Sequence, residues 1–194
     1  MPRTLEFDRD VARLDAMALF WSQGYKATSL EQLLQTMGIG RSSFYATFAD
    51  KQSLFIDCLD IFFEQTMTVL RRMMQQHPAP YGIHGFLEKT VVRIPISERR
   101  RGCMLVNTLL ESADVDEVLH KAAAQYLSNI QAEFKLHIQT AQEEGCISRQ
   151  LDAESLSAAA MLINQGLRVS SRSGVSSKEL SNTLRSSMAL LQLA

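Results

Sequence analysis

Apolar positions along the chain recur at intervals of three and four residues, and no stretch keeps the two-residue alternation of a half-buried strand. The pattern predicts an all-α chain of nine helices. Asp8 caps the first, with Val11, Leu14, Met17, Ala18 and Trp21 on one face, and Gly24 ends it. Thr28 followed three residues later by Glu31 reads as a capping box. Leu30, Leu33, Leu34 and Met37 then keep helical spacing up to the stop at Gly38. A second short helix covers 40–46, held to the core by Phe44 and Phe48. Asp50 caps a rod over 50–76 that Pro78 and Pro80 end; at 1.5 Å per residue it extends roughly 40 Å. Further helices are predicted over 83–94, 103–112, 114–144 and 152–171, with a last one capped by Ser176 or Ser177. In the segment capped by Asp114 the apolar stripe is Leu119, Ala123, Tyr126, Ile130, Phe134, Ile138 and Ala141, and residues 97–102 form a loop carrying Arg99, Arg100 and Arg101. These breaks divide the chain into a head, 1–50, and a body, 51–194.

The stretch TSLEQLLQTMGIGRSSFYATFADKQSL (28–54) carries the chemistry. Two short helices joined by a glycine turn can lay the second in a DNA major groove, where Arg41 can bridge guanine O6 and N7, and Ser42 and Ser43 can donate or accept. Tyr45 and Thr47 point at the phosphate walls, and Lys51 sits at a positive helix end suited to a phosphate. Residues 1–7 read as an arm whose Arg3 can enter a minor groove.

Three segments, WSQGYKATSL at 21–30, GIGRSSFYATF at 38–48 and DKQSLF at 50–55, resemble the DNA-binding domain of the TetR family of one-component bacterial repressors. The resemblance implies phosphate contacts from Thr28, Tyr45, Thr47 and Lys51, and base reading by Arg41, Ser42 and Ser43. It also implies a homodimer. Two positions depart from the commonest family pattern: Gly40 stands where a Ser or Thr usually caps the reading helix, and Thr47 where His is usual.

Charge qualifies this picture. The net charge is −1, and the first 50 residues hold five Lys/Arg against six acids, whereas a nucleic-acid binder is ordinarily basic. Placement compensates: Lys26, Arg41 and Lys51 flank the reading helix, while Asp8, Asp10 and Asp15 belong to the first helix. A modest salt dependence is expected. No signal-peptide order or membrane-spanning run is present, so a cytoplasmic location without membrane contact is expected. Cys58, Cys103 and Cys146 form no CxxC, and the histidines do not recur at ligand spacing, so neither metal nor cofactor is expected. No nucleophile triad, carboxylate pair or phosphate loop marks an enzyme. The competing reading is a helical small-molecule-binding protein or enzyme whose N-terminal helices are only scaffold.

The last two predicted helices are rich in small and apolar residues. Ala159, Ile163, Gly166, Leu167, Leu184, Met188 and Leu191 are the expected two-fold interface, pairing as a four-helix bundle. An effector, either a small molecule or an oxidant or electrophile, is expected to enter the body. Phe86, Met104 and Tyr126 are candidate walls, and Cys103, Asn107 and Glu111 share one helix face. Cys103, following three arginines at a helix start, has an electropositive setting that favours thiol reactivity.

Overall fold

The computed structural model describes residues 7–193, and among them every regular element is helical. Arg3 lies outside the described residues. α1 (Arg9–Gln23) starts where the Asp8 carboxylate accepts the N–H groups of Asp10 and Val11. It stops at Gly24, whose φ of 91° suits a residue without Cβ. The buried face is Ala12, Ala16, Met17 and Phe20, while Val11, Leu14 and Ala18 are exposed. Periodicity weighted by large apolar residues misplaces this face, because the contact with α2 (Leu30–Met37) and α4 (Lys51–Gln76) is built partly on alanines.

α2 is capped by Ser29, not Thr28. Two overlapping S/T-x-x-E/Q frames compete here, and the one that forms pairs the Ser29 hydroxyl with the Gln32 N–H and the Gln32 side chain with the Ser29 N–H. Thr28 turns inward and donates to the Gly24 carbonyl at 2.7 Å. Gly38, at φ 65°, makes the sharp turn into α3 (Arg41–Thr47), with Ile39 buried in the angle. The Asp50 carboxylate accepts the Ser53 N–H at 2.7 Å and starts α4, which runs 26 residues before His77 and Pro78.

The helix expected over 83–94 begins as α5 (Tyr81–Leu87) and widens into a π-helical turn (Glu88–Val92), where the Arg93 N–H reaches back five residues to the Glu88 carbonyl at 2.9 Å. A one-turn helix, α6 (Ile96–Arg99), occupies part of the predicted arginine loop. α7 (Met104–Ser112) has Cys103 as its cap residue. α8 (Glu117–Glu143) starts two residues later than expected. The Ser112 carbonyl takes the N–H groups of both Val115 and Asp116, carrying the turn on to Asp116, which caps the helix instead of Asp114. α9 (Ala153–Arg172) and α10 (Ser177–Leu190) close the chain, capped by Asp152 and Ser176.

The body packs α4, α5, α8 and α9 round one core, with Phe86 on α5 meeting Phe134 on α8 edge to face at 6.0 Å. α5 lies so close to its neighbours that a Cβ at Gly82 would stand 2.6 Å from His137 Nε2 and 2.9 Å from Met74 Cα. Of the expected interface residues, Leu167, Leu184 and Met188 are buried within their own subunit and are removed from the partner-facing set. Helical phase puts Ala159, Ile163 and Gly166 on the outer side of α9, where Leu162 and Val169 are exposed, and leaves Leu191 partly exposed beside Leu190.

Candidate nucleic-acid interface

α3 is seven residues long and gains its rigidity from packing. Phe44 and Phe48 are buried on its inner side with ring centroids 5.6 Å apart. Its outer side presents Arg41, Ser42 and Tyr45, the last 52% exposed, with Ser43 half-buried between them. Gly40 supplies no side-chain cap, so the first turn of α3 keeps its N–H groups open toward whatever lies in front of it. Arg41 is held across the turn by Glu31, Nη2 to Oε1 at 2.7 Å, with both side chains largely exposed.

Two of the expected phosphate contacts fail on burial. Thr28 is 0% exposed with its hydroxyl already donating, and the Thr47 Oγ1 is enclosed, without a partner among the described residues. Ser29, exposed at the start of α2, is the hydroxyl the turn leaves at the surface. Lys51 begins α4 with its ammonium 4.4 Å over the Tyr25 ring. Desolvation there pulls its pKa below the usual lysine value, against the opposing pull of the Glu111 carboxylate. The Lys26 side is exposed, so the cations round α3 are Lys26, Arg41 and the ring-seated Lys51.

The expected sensing residues do not surround one cavity. Phe86 is fully buried core, and Tyr126 stacks on Phe63 and donates to Asp60 between α4 and α8. Met104, Asn107 and Glu111 instead belong to the seam between head and body. Glu111 accepts the Tyr25 N–H at 3.1 Å and the Lys26 N–H at 2.7 Å, tying α7 to the turn between α1 and α2. The Trp21 indole donates to the Gly102 carbonyl at 3.0 Å, and Gln52 donates to the Asp116 carboxylate at 2.7 Å. Asn107 donates to the Arg101 carbonyl and accepts from Arg172, each at 2.7 Å.

Nor do the three arginines converge on Cys103. Arg99 is buried, Arg100 is exposed, and Arg101 stacks over the Trp21 ring at 5.4 Å. The cations that share a recess with Cys103 are Arg168 and Arg172 from α9. Cys103 is 5% exposed, Cys146 is at the surface, and burial pushes the Cys58 thiol up to about 12, which keeps it protonated and inert.

Residues 15–58 match the model of bacterial regulatory proteins of the tetR family, and residues 83–186 match the tetracyclin repressor-like C-terminal domain. The chain belongs to the TetR family. It is a DNA-binding transcriptional regulator, and dimers and ligand responsiveness are typical of TetR-family members. Among solved structures it is similar to a cysteine mutant of the TetR family transcriptional regulator CifR complexed with 26-bp double-strand operator DNA. That likeness has a TM-score of 0.88 and 27% identity, covering 97% of this chain and 98% of the other. Among curated proteins this TetR-family chain is 26% identical to the HTH-type transcriptional repressor ComR of Escherichia coli (strain K12), over 90% of itself and 84% of the repressor. It is 27% identical to the uncharacterized HTH-type transcriptional regulator YezE of Bacillus subtilis (strain 168), over 85% of itself and 84% of that protein.

Proposed function

We propose that this chain is a repressor that binds a near-palindromic operator as a two-fold dimer and lets go when an effector acts on the body. The observation that carries this reading is the outer side of α3, where Arg41, Ser42 and Tyr45 stand exposed on a short helix locked to the core. In this role Arg41, Ser42 and Ser43 read base edges, while Tyr45, Lys51 and Ser29 hold phosphates. CifR on its operator DNA and the repressor name of ComR support the reading. Residues 1–50 form the reading head and 51–194 the regulatory body, working without a catalytic step or a cofactor, in the cytoplasm where operators lie. No helix among the described residues is long and apolar enough to cross a membrane.

A shift assay on DNA flanking the protein's own coding region tests the proposal. The Arg41→Ala variant is expected to lose about 1–3 kcal/mol of operator affinity and to relax preference at one base per half-site. Lys51→Ala is expected to weaken operator and random DNA alike and to flatten the salt slope. Equal effects of both changes on both DNAs would reverse the assignment.

The two-fold contact is proposed on the outer face of α9 and the end of α10, through Ala159, Leu162, Ile163, Gly166 and Leu191. A Cβ at Gly166 meets nothing within 4 Å in its own subunit. Gly166→Leu is therefore expected to leave the fold intact and to shift the protein toward monomer in sedimentation, since overpacking a close helix contact is not absorbed. An unchanged dimer would move the interface elsewhere.

Cys103 is the proposed thiol trigger, because it borders a recess of about 300 Å³ that also carries Arg168 and Arg172. Peroxide would convert its thiol to a sulfenic acid with release of water. Operator release on peroxide is expected from the wild type, restored by reductant, and absent from Cys103→Ser. Identical titrations of the two proteins would exclude the thiol.

A further inference from the structure

The head and the body meet where the end of α1 and the α1–α2 turn lie against α7, and the Glu111 and Trp21 hydrogen bonds cross that seam. Beside them opens a cleft of about 410 Å³. Phe20, Phe55 and Met104 contribute its deep apolar lining, with Trp21 and Leu110 at its sides and Asn107, Glu111 and Arg172 among its polar groups. Asn107, Leu110 and Arg172 also line the recess that holds Cys103, so the two hollows adjoin. A cleft of this size is in the ordinary range of a small-molecule site, and its wall is mixed, with Ser22, Gln23, Asn107, Thr108, Glu111 and Arg172 facing the apolar side chains.

The hydrogen bonds decide what such a molecule would carry. Both Glu111 oxygens accept backbone N–H groups, and the Trp21 N–H is spent on Gly102. Both ends of the Asn107 amide are engaged, Thr108 donates to the Met104 carbonyl, and Ser22 donates to the Leu19 carbonyl. Two groups differ. The Gln23 amide makes no side-chain hydrogen bond among the described residues, and Arg172, the charged one of the two, is exposed and makes one, from Nη1 to Asn107, out of five guanidinium N–H groups. Arg101, stacked on the far partner of the seam, Trp21, adds a second positive charge nearby. Leu110 at the edge is 69% exposed, an apolar side chain without cover.

We infer that this seam is a binding site for an amphipathic organic anion, a carboxylate or sulfonate on a flat apolar body. Its head group pairs with Arg172, and its body lies between Trp21, Leu110 and the Phe20–Phe55–Met104 lining. The inference rests on the effector-release reading and names the effector's class and place. An anion on Arg172 competes with Asn107 for the guanidinium. Asn107 in turn holds the Arg101 carbonyl, next to the Gly102 carbonyl that anchors Trp21. Occupancy therefore acts on the ties between head and body without reaching the interior of the body.

Two fluorescent probes with nearly the same body separate the anion from the apolar surface: 8-anilinonaphthalene-1-sulfonate and the neutral N-phenyl-1-naphthylamine. With the full-length protein and no DNA, the sulfonate is expected to bind saturably at one site per subunit, about tenfold more tightly than the neutral probe. Arg172→Gln is expected to weaken the sulfonate about tenfold and leave the neutral probe unchanged, with Arg172→Lys recovering part of the loss. Leu110→Glu on the exposed edge provides a second reading and is expected to weaken the sulfonate without a change in thermal unfolding. Saturating sulfonate is expected to raise the operator Kd of the wild type about tenfold, and that of Arg172→Gln far less. Equal sulfonate binding by wild type, Arg172→Gln and Leu110→Glu would overturn the site, as would absence of saturable binding. Failure of the untreated protein to bind its operator would instead overturn the repressor reading.

Discussion

Truncating Phe20 to alanine should cost about 3–5 kcal/mol of stability. The ring is buried on α1 and meets Phe55 of α4 edge to face at 4.8 Å, with Tyr25 at 6.2 Å closing a triangle of rings in which it lies 4.9 Å from Phe55. Removing it opens a void where α1, the following turn and α4 converge, and close-packed neighbours collapse into such a void only in part. For a chain of this length each kcal/mol lowers Tm by about 2–4 °C, so a fall of the order of 10 °C is expected in thermal unfolding. Denaturant titration reads the same quantity. A loss under about 1 kcal/mol would show that the head is not anchored to α4 through this ring.

Replacing Glu111 with alanine should have a smaller and more selective effect. Two backbone N–H groups, of Tyr25 and Lys26, lose their acceptor. A hydrogen bond to a charged acceptor contributes about 1.5–3 kcal/mol, and the Lys26 end is exposed to water, so a total near 2–3 kcal/mol is expected. The change also frees the head to rock on the body, weakening operator binding and blunting effector release, because allosteric coupling needs differential contacts in each state. Amide hydrogen exchange locates the effect: Tyr25 and Lys26 should exchange faster while the centre of α4 keeps its protection. Unaltered exchange at those two amides would remove Glu111 from any coupling role. Gly24 belongs to the same joint, since a Cβ there would stand 2.9 Å from Glu111 Oε2.

What the sequence made legible was local. Asp8, Asp50, Asp152 and Ser176 cap the helices they were expected to cap, and Gly24, Gly38 and the Pro78–Pro80 stretch end theirs, because caps and breakers act within four residues of themselves. The reading helix follows from the same short-range signals. Thr28 against Ser29 shows the limit of that reasoning: both frames satisfy the capping-box pattern, and burial of Thr28 selects between them. Residues whose roles depend on distant neighbours were not legible. Glu111 pairs with residues 85 and 86 positions away, Trp21 with one 81 away, and no periodicity connects them. The dimer face misled for a related reason. Leu167, Leu184 and Met188 are apolar at helical spacing, and spacing gives the side of a helix but not whether its own subunit or a partner covers it. Cys103 was linked to the arginines next to it in sequence, whereas its neighbours in space are Arg168 and Arg172, brought across by α9.

In the base-reading role proposed for Arg41, its ion pair with Glu31 turns DNA binding into an exchange. In the free protein the guanidinium already has a carboxylate at 2.7 Å, so meeting DNA replaces one partner by another. An exposed pair of this kind contributes about 0–1 kcal/mol, which is subtracted from whatever the base edge supplies. A guanine, offering two acceptors in the geometry of the guanidinium fork, wins that exchange; a base offering one acceptor or none leaves Arg41 with Glu31. Glu31 is thus a competitor carried on the protein itself. It lowers residence on random sequence, at a cost at the right site no larger than the pair itself, so a chain of net charge −1 can be selective without being strongly adhesive.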